Sequence, residues 1–65
     1  MTSEEFRAIR DTMKWTQADL AKMTGKRLNT ISRYELGQLD IPQLLEIFML
    51  LMRDKRNRRI VEKYL

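Results

Sequence analysis

Apolar side chains recur along this chain at intervals of three and four residues, the spacing of one face of a helix rather than the alternation of a strand. Phe6, Ile9 and Met13 define the inner face of a first helix, and Thr2 with Glu5 three residues on forms a capping box that starts it at Thr2 or Ser3. Lys14 and Trp15 make a turn, with Trp15 as a core plug. A second helix begins at Thr16, where Thr16 and Asp19 make another capping box. Leu20, Ala21, Met23 and Thr24 form its packed side, and the small Ala21 lets the next helix axis approach closely. Gly25 ends this helix, because a left-handed backbone costs glycine little.

A third helix is expected from about Leu28 to Leu36, with Ile31 and Tyr34 inward, Asn29, Thr30, Ser32 and Arg33 outward, and Gly37 as its stop. Lys26 and Arg27 are poor N-caps, so a start one or two residues later, with Asn29 as cap, stays open. Asp40-Ile41-Pro42 announces a fourth helix, with proline near the first turn, where its missing amide costs nothing. Leu44, Leu45, Ile47, Phe48, Leu50, Leu51 and Met52 then make it apolar on more than one side. Asp54 is positioned to cap a fifth helix through Tyr64, although no glycine or proline prevents the fourth and fifth from being one. Ile60, Val61, Tyr64 and Leu65 form a small apolar patch in this tail. The surplus apolar surface can close on itself within a monomer, but a symmetric dimer seam is preferred.

Composition narrows the function. Sixty-five residues make one domain, with 53–65 as its helical tail. Two glycines and one proline favour helices over a turn-rich β-fold. There is no cysteine and no histidine, which removes disulfides, thiolate metal sites, cysteine nucleophiles and the commonest general base together. A zinc site would rest on carboxylates alone, so neither a metal, a cofactor nor an enzyme is expected. The longest fully apolar stretch, Ile47 to Met52, is too short to cross a bilayer, and a cytoplasmic protein is the expectation. Arg7, Arg10, Lys14 and Lys22 balance Glu4, Glu5, Asp11 and Asp19 in residues 1–25, so the net charge of +4 falls wholly on residues 26–65. A basic second half beside an outward polar helix is what a phosphate-facing surface needs. The run Arg53–Arg59 reads equally as a solvated helix surface or as a non-specific phosphate contact.

Taken together, Gln17-x-x-Leu20-Ala21-x-x-x-Gly25 and Ile31-Ser32-Arg33-x-Glu35-x-Gly37 resemble the Cro and repressor type of helix-turn-helix DNA-binding proteins, over about residues 4–51. The resemblance implies an all-α, compact four- or five-helix lambda repressor-like domain, acting as a homodimer on an inverted-repeat operator. It implies base contacts from Leu28, Asn29, Ser32 and Arg33, with Gln17, Arg27 and Thr30 at the sugar–phosphate wall. Lys26 and Gln38 join that phosphate set. Arg10 and Glu35 are implied to form an internal ion pair, and Leu20, Ala21, Ile31 and Leu44 to be core. The chain departs from the pattern at Lys26 and Arg27, where a small apolar residue and a serine or threonine cap are usual. Chemistry supports the same base readers: Arg33 can donate twice to guanine O6 and N7, Asn29 can pair with adenine N6 and N7, and Leu28 can cover a thymine methyl. The expected partners are double-stranded DNA and a second copy, in a transcriptional repressor. The rivals are a protein-interaction adaptor of antitoxin or antirepressor kind and a non-specific nucleic-acid binder.

Overall fold

In the computed structural model, which describes residues 1–65, five helices follow one another: α1 (Ser3–Met13), α2 (Gln17–Thr24), α3 (Leu28–Glu35), α4 (Gln43–Met52) and α5 (Lys55–Glu62). This is the all-α, five-helix lambda repressor-like arrangement. Both capping boxes form. The Thr2 hydroxyl accepts from Glu5 N–H at 3.1 Å while Glu5 accepts from Thr2 N–H at 3.1 Å, and Thr16 and Asp19 exchange the same bonds at 3.0 Å each. Thr16 is thus the cap of α2 rather than its first helical residue.

Each helix ends for a local reason. Gly25 takes the left-handed region at φ +71°, and Gly37 does so at φ +73°. After α3, Gly37 N–H donates to the Tyr34 carbonyl and Gln38 N–H to the Arg33 carbonyl, which closes the last turn in a Schellman motif. Lys14 ends α1 in the left-handed region at φ 60° without being glycine, and this turn carries Trp15 into the core. The boundary between α4 and α5 needs neither glycine nor proline. Asp54 turns extended and accepts from Arg56 N–H at 2.8 Å, while Asn57 Nδ2 donates to the Leu51 carbonyl at 2.9 Å. Polar side chains therefore satisfy both ends of the break, and the two helices stay separate.

The core joins Phe6, Ile9 and Met13 of α1 to Trp15, Leu20, Ala21, Ile31, Tyr34, Leu45, Met49 and Met52. Phe6 meets Tyr34 edge-on, with ring centroids 5.8 Å apart, and Trp15 lies 6.3 Å from Phe48. One core expectation is corrected. Leu44 is 78 % exposed, and Leu45, 5 % exposed, takes the inward place together with the fully buried Met49. On a helix that is mostly apolar, a shift of one residue turns the side chain by about 100°, and the packing of the other helices selects the buried side. Helix α5 contributes no fully buried residue. It is held by Val61 against the core, by Trp15 Nε1 donating to Glu62 at 3.0 Å, and by Arg58 donating to the Thr12 carbonyl at 3.4 Å.

One ionic cluster sits at the junction of three helices. The Arg10 guanidinium of α1 holds the Glu35 carboxylate of α3 through two donors, Nε to Oε2 and Nη2 to Oε1, the latter at 3.0 Å. Its Nη1 donates to the Trp15 carbonyl at 2.8 Å, and Gln17 Nε2 of α2 donates to Glu35 Oε1 at 3.0 Å. The two charged side chains keep 13 % and 5 % of their exposure. Burial pushes the Glu35 carboxyl up, but the hydrogen bonds from Arg10 and Gln17 and the Arg10 charge outweigh it and leave the pKa lowered. The same hydrogen bond raises Arg10 against its own desolvation.

Three outcomes follow from these features. Gly25→Val should cost about 1–2 kcal/mol in thermal melts through backbone strain, because no atom lies within 4 Å of the added Cβ. Gly25→Asn should cost less, and equal losses would show that the left-handed backbone is not what matters. Arg10→Met should cost about 3 kcal/mol by stranding Glu35, and Arg10→Met with Glu35→Leu should regain most of it. Because Glu35 has a lowered folded pKa, its contribution is present above the unfolded carboxyl range of about 4.3 and is lost as pH falls through the folded value. The melting difference between the parent and Glu35→Gln should therefore narrow below about pH 4; a gap of constant size would mean that charge at Glu35 contributes nothing.

Candidate nucleic-acid interface

Helices α2 and α3 pack on each other around Leu20, Ala21 and Ile31, and the Gly25 turn sets the angle between them. With Ile31 and Tyr34 spent on the core, the opposite face of α3 points to solvent. Arg27, Leu28, Asn29 and Arg33 are exposed, while Thr30 and Ser32 are half-buried beside them. The side chains of Arg27, Asn29 and Arg33 make neither a hydrogen bond nor an ion pair within the chain. Arg33 in particular does not pair with Asp40 or Glu46; Glu46 is taken by the amino terminus at 3.4 Å. Eight residues make α3 about 12 Å long, a match to the width of a B-DNA major groove, about 12 Å.

The start of α3 is not delayed. Leu28 is its first helical residue, Arg27 is the N-cap in an extended conformation, and Asn29 lies inside the helix rather than capping it. The reason is that Ile31 N–H already donates to the Arg27 carbonyl at 3.1 Å, so the helix propagates from Arg27 without a side-chain cap. The amides of Leu28, Asn29 and Thr30 are left without an acceptor in the protein. At the start of α2 the Thr16 hydroxyl takes the Asp19 amide, and the amides of Gln17 and Ala18 stay free. Two helix N-termini of positive partial charge thus flank an uncharged and basic side-chain row.

Other expected site residues fall as follows. The Gln17 side chain is half-buried and bonded to Glu35, so its amide is held at the mouth of α2 rather than free to swing. Lys26 is half-buried with its ammonium 6.0 Å over the Tyr34 ring, and Gln38 is exposed past the end of α3. Ile60, Tyr64 and Leu65 are exposed, whereas Val61 is turned partly onto the core and separates from the other three. Two features of the candidate interface escaped sequence reasoning. The Gln17–Glu35 bond joins residues of distant position whose types give no pairing signal, and the uncapped amides of α3 became visible only once its first residue was placed.

No group of three or more acidic, cysteine or histidine side chains is gathered to hold a metal, and no helix is long and apolar enough to cross a membrane. No curated protein and no solved structure gives a match. A family model described as helix-turn-helix matches residues 6–51, more than two-thirds of the chain, and covers α1 from Phe6 onward, all of α2 and α3, and nearly all of α4. Its members are regulatory DNA-binding domains rather than enzymes, and the match spans the turn, the exposed row of α3 and the Arg10–Glu35 junction alike; on these grounds the chain belongs to the helix-turn-helix family.

Proposed function

We propose that this chain is a transcription regulator of the Cro and repressor type, which binds an inverted-repeat operator as a homodimer and represses by occupying it. The observation that carries the reading is the solvent-facing row of α3: Asn29 and Arg33 have no partner in the protein, and the amides at the start of the same helix are equally free. Such groups are ready to exchange water for base edges and phosphate oxygens without breaking internal bonds. Arg33 reads guanine and Asn29 reads adenine, Leu28 covers a thymine methyl, and Ser32 adds a short polar contact. Gln17, Lys26, Arg27, Thr30 and Gln38 lie along the phosphate walls and fix the register. Exposed Ile60, Tyr64 and Leu65, with the half-buried Val61, serve the partner copy. No chemical step is involved, and control comes from concentration, since dimerisation and operator binding are linked by mass action. A cytoplasmic location fits that role.

Selection of bound sites from a randomised duplex library near physiological salt, with the mass of the selected complex, tests this reading. The expected result is an inverted repeat with half-sites about one helical turn apart and two chains bound. Arg33→Ala should lose discrimination at one position in each half-site, worth about 1–3 kcal/mol. Arg27→Ala should weaken all duplexes alike and lower the salt slope by about one. Unselective retention that vanishes with added salt would replace operator binding with non-specific nucleic-acid binding, and no retention at all would favour the adaptor role.

A further inference from the structure

Between the turn that joins α2 to α3 and the start of α4 lies a groove of about 320 Å³. Met23, Pro42, Leu44 and Phe48 make its walls mostly apolar, and Thr24 and Lys26 are its only polar lining residues. The Thr24 hydroxyl is already spent on the Leu20 carbonyl at 2.7 Å. Lys26 is different. It is half-buried, its ammonium rests 6.0 Å over the Tyr34 ring, and it forms no ion pair within the chain. The groove therefore combines apolar walls with one cation that has no counter-charge.

We propose that this groove binds a small organic acid, an aryl or alkyl body carrying one carboxylate, and that the bound acid withdraws Lys26 from DNA. Size argues for a small molecule. Ligand sites occupy roughly 300–1,000 Å³ and pair mostly apolar walls with a few placed polar groups, and this groove stands at the lower end of that range. A protein partner covers roughly 20–30 residues a side, against the seven that line the groove.

Charge selects the class of ligand. No acidic side chain lines the groove. Its α4 side adds charge of the same sign as Lys26, because no side chain caps that helix and the amides of Gln43, Leu44 and Leu45 have no acceptor. One ammonium balances one negative charge, which suits a carboxylate better than a phosphate monoester of about two charges. Only the coupling to DNA rests on the reading of Lys26 as a phosphate contact; occupancy of the groove does not. A carboxylate on the ammonium takes the place of a phosphate oxygen, so acid and duplex compete for one cation. By linkage each then weakens the binding of the other to the same extent.

Methyl NMR of the DNA-free full chain, labelled at its five methionines, tests the site, because Met23 alone of them lines the groove. The probes are 4-phenylbutyrate and octanoate, each against its primary amide, titrated to about 10 mM so that Kd values above 1 mM are still read. A saturable shift of the Met23 methyl is expected, with each acid binding about tenfold tighter than its amide, the worth of one charge-assisted hydrogen bond. Lys26→Gln should abolish that preference and Lys26→Arg should keep it. Leu44→Glu, at a rim position 78 % exposed, should weaken the acids more than the amides. Thermal melts show that each variant folds. The absence of a saturable Met23 shift, or a shift confined to other methionines, would overturn the site. Equal binding of acid and amide to the parent would overturn the role of Lys26. In duplex titrations of the parent, saturating acid should weaken binding and lower the salt slope by about one. An unchanged duplex affinity would overturn the coupling, while duplex binding without acid judges the DNA reading on its own.

Discussion

The ionic junction of Arg10, Glu35 and Gln17 is the constraint on which the rest of the domain depends. It is the one place where α1, α2 and α3 share side-chain hydrogen bonds, and Arg10 adds a fourth bond to the turn at Trp15. Three helices of eight to eleven residues bury too little apolar surface to fix their mutual angles by packing alone. A forked guanidinium on a carboxylate supplies direction that leucine and methionine cannot. Its net stabilisation is small, because desolvation opposes the attraction, but a rotated α3 would leave a buried charge unpaired.

That constraint explains how so small a core can present a precise surface. The end of α3 is tied at Glu35, its inward face is filled by Ile31 and Tyr34, and the Gly37 turn releases the chain towards α4. Side chains on the remaining face then have no structural duty. Their freedom, beside the unpaired amides of α2 and α3, is the physical basis of the DNA-binding reading. The other helices have a different task. Helix α4 closes the core with Leu45, Met49 and Met52 and still carries apolar residues outward, while α5 is clipped on through Trp15, Asn57 and Val61.

Much of this was legible in the chain itself. Thr2 with Glu5, Thr16 with Asp19, and the two glycines mark helix ends by interactions between near neighbours, and the structure forms each of them. The pairing of Arg10 with Glu35 was implied by family resemblance, not by spacing, since the two lie far apart in sequence. Reading failed where local signals were balanced. The start of α3 at about Leu28 was read correctly, but the poor cap at Arg27 left a later start open, which the Ile31 N–H bond to the Arg27 carbonyl closes. Leu44 and Leu45 are equivalent by hydropathy, and only Leu45 is buried.

What the sequence determined by itself is the approximate extent of the first four helices, the glycine turn, and which residues of α3 have no place in a core. These follow from dihedral preferences, capping and periodicity, which act over a few residues. Only the tertiary structure decided which side of α4 is buried, where α4 breaks from α5, that Gln17 is held by Glu35, and that Glu62 reaches the indole of Trp15. The physical reason is range. A hydrogen bond between residues 18 or 47 positions apart, or the choice of one face on an evenly apolar helix, depends on where other helices stand, and no local pattern carries that information.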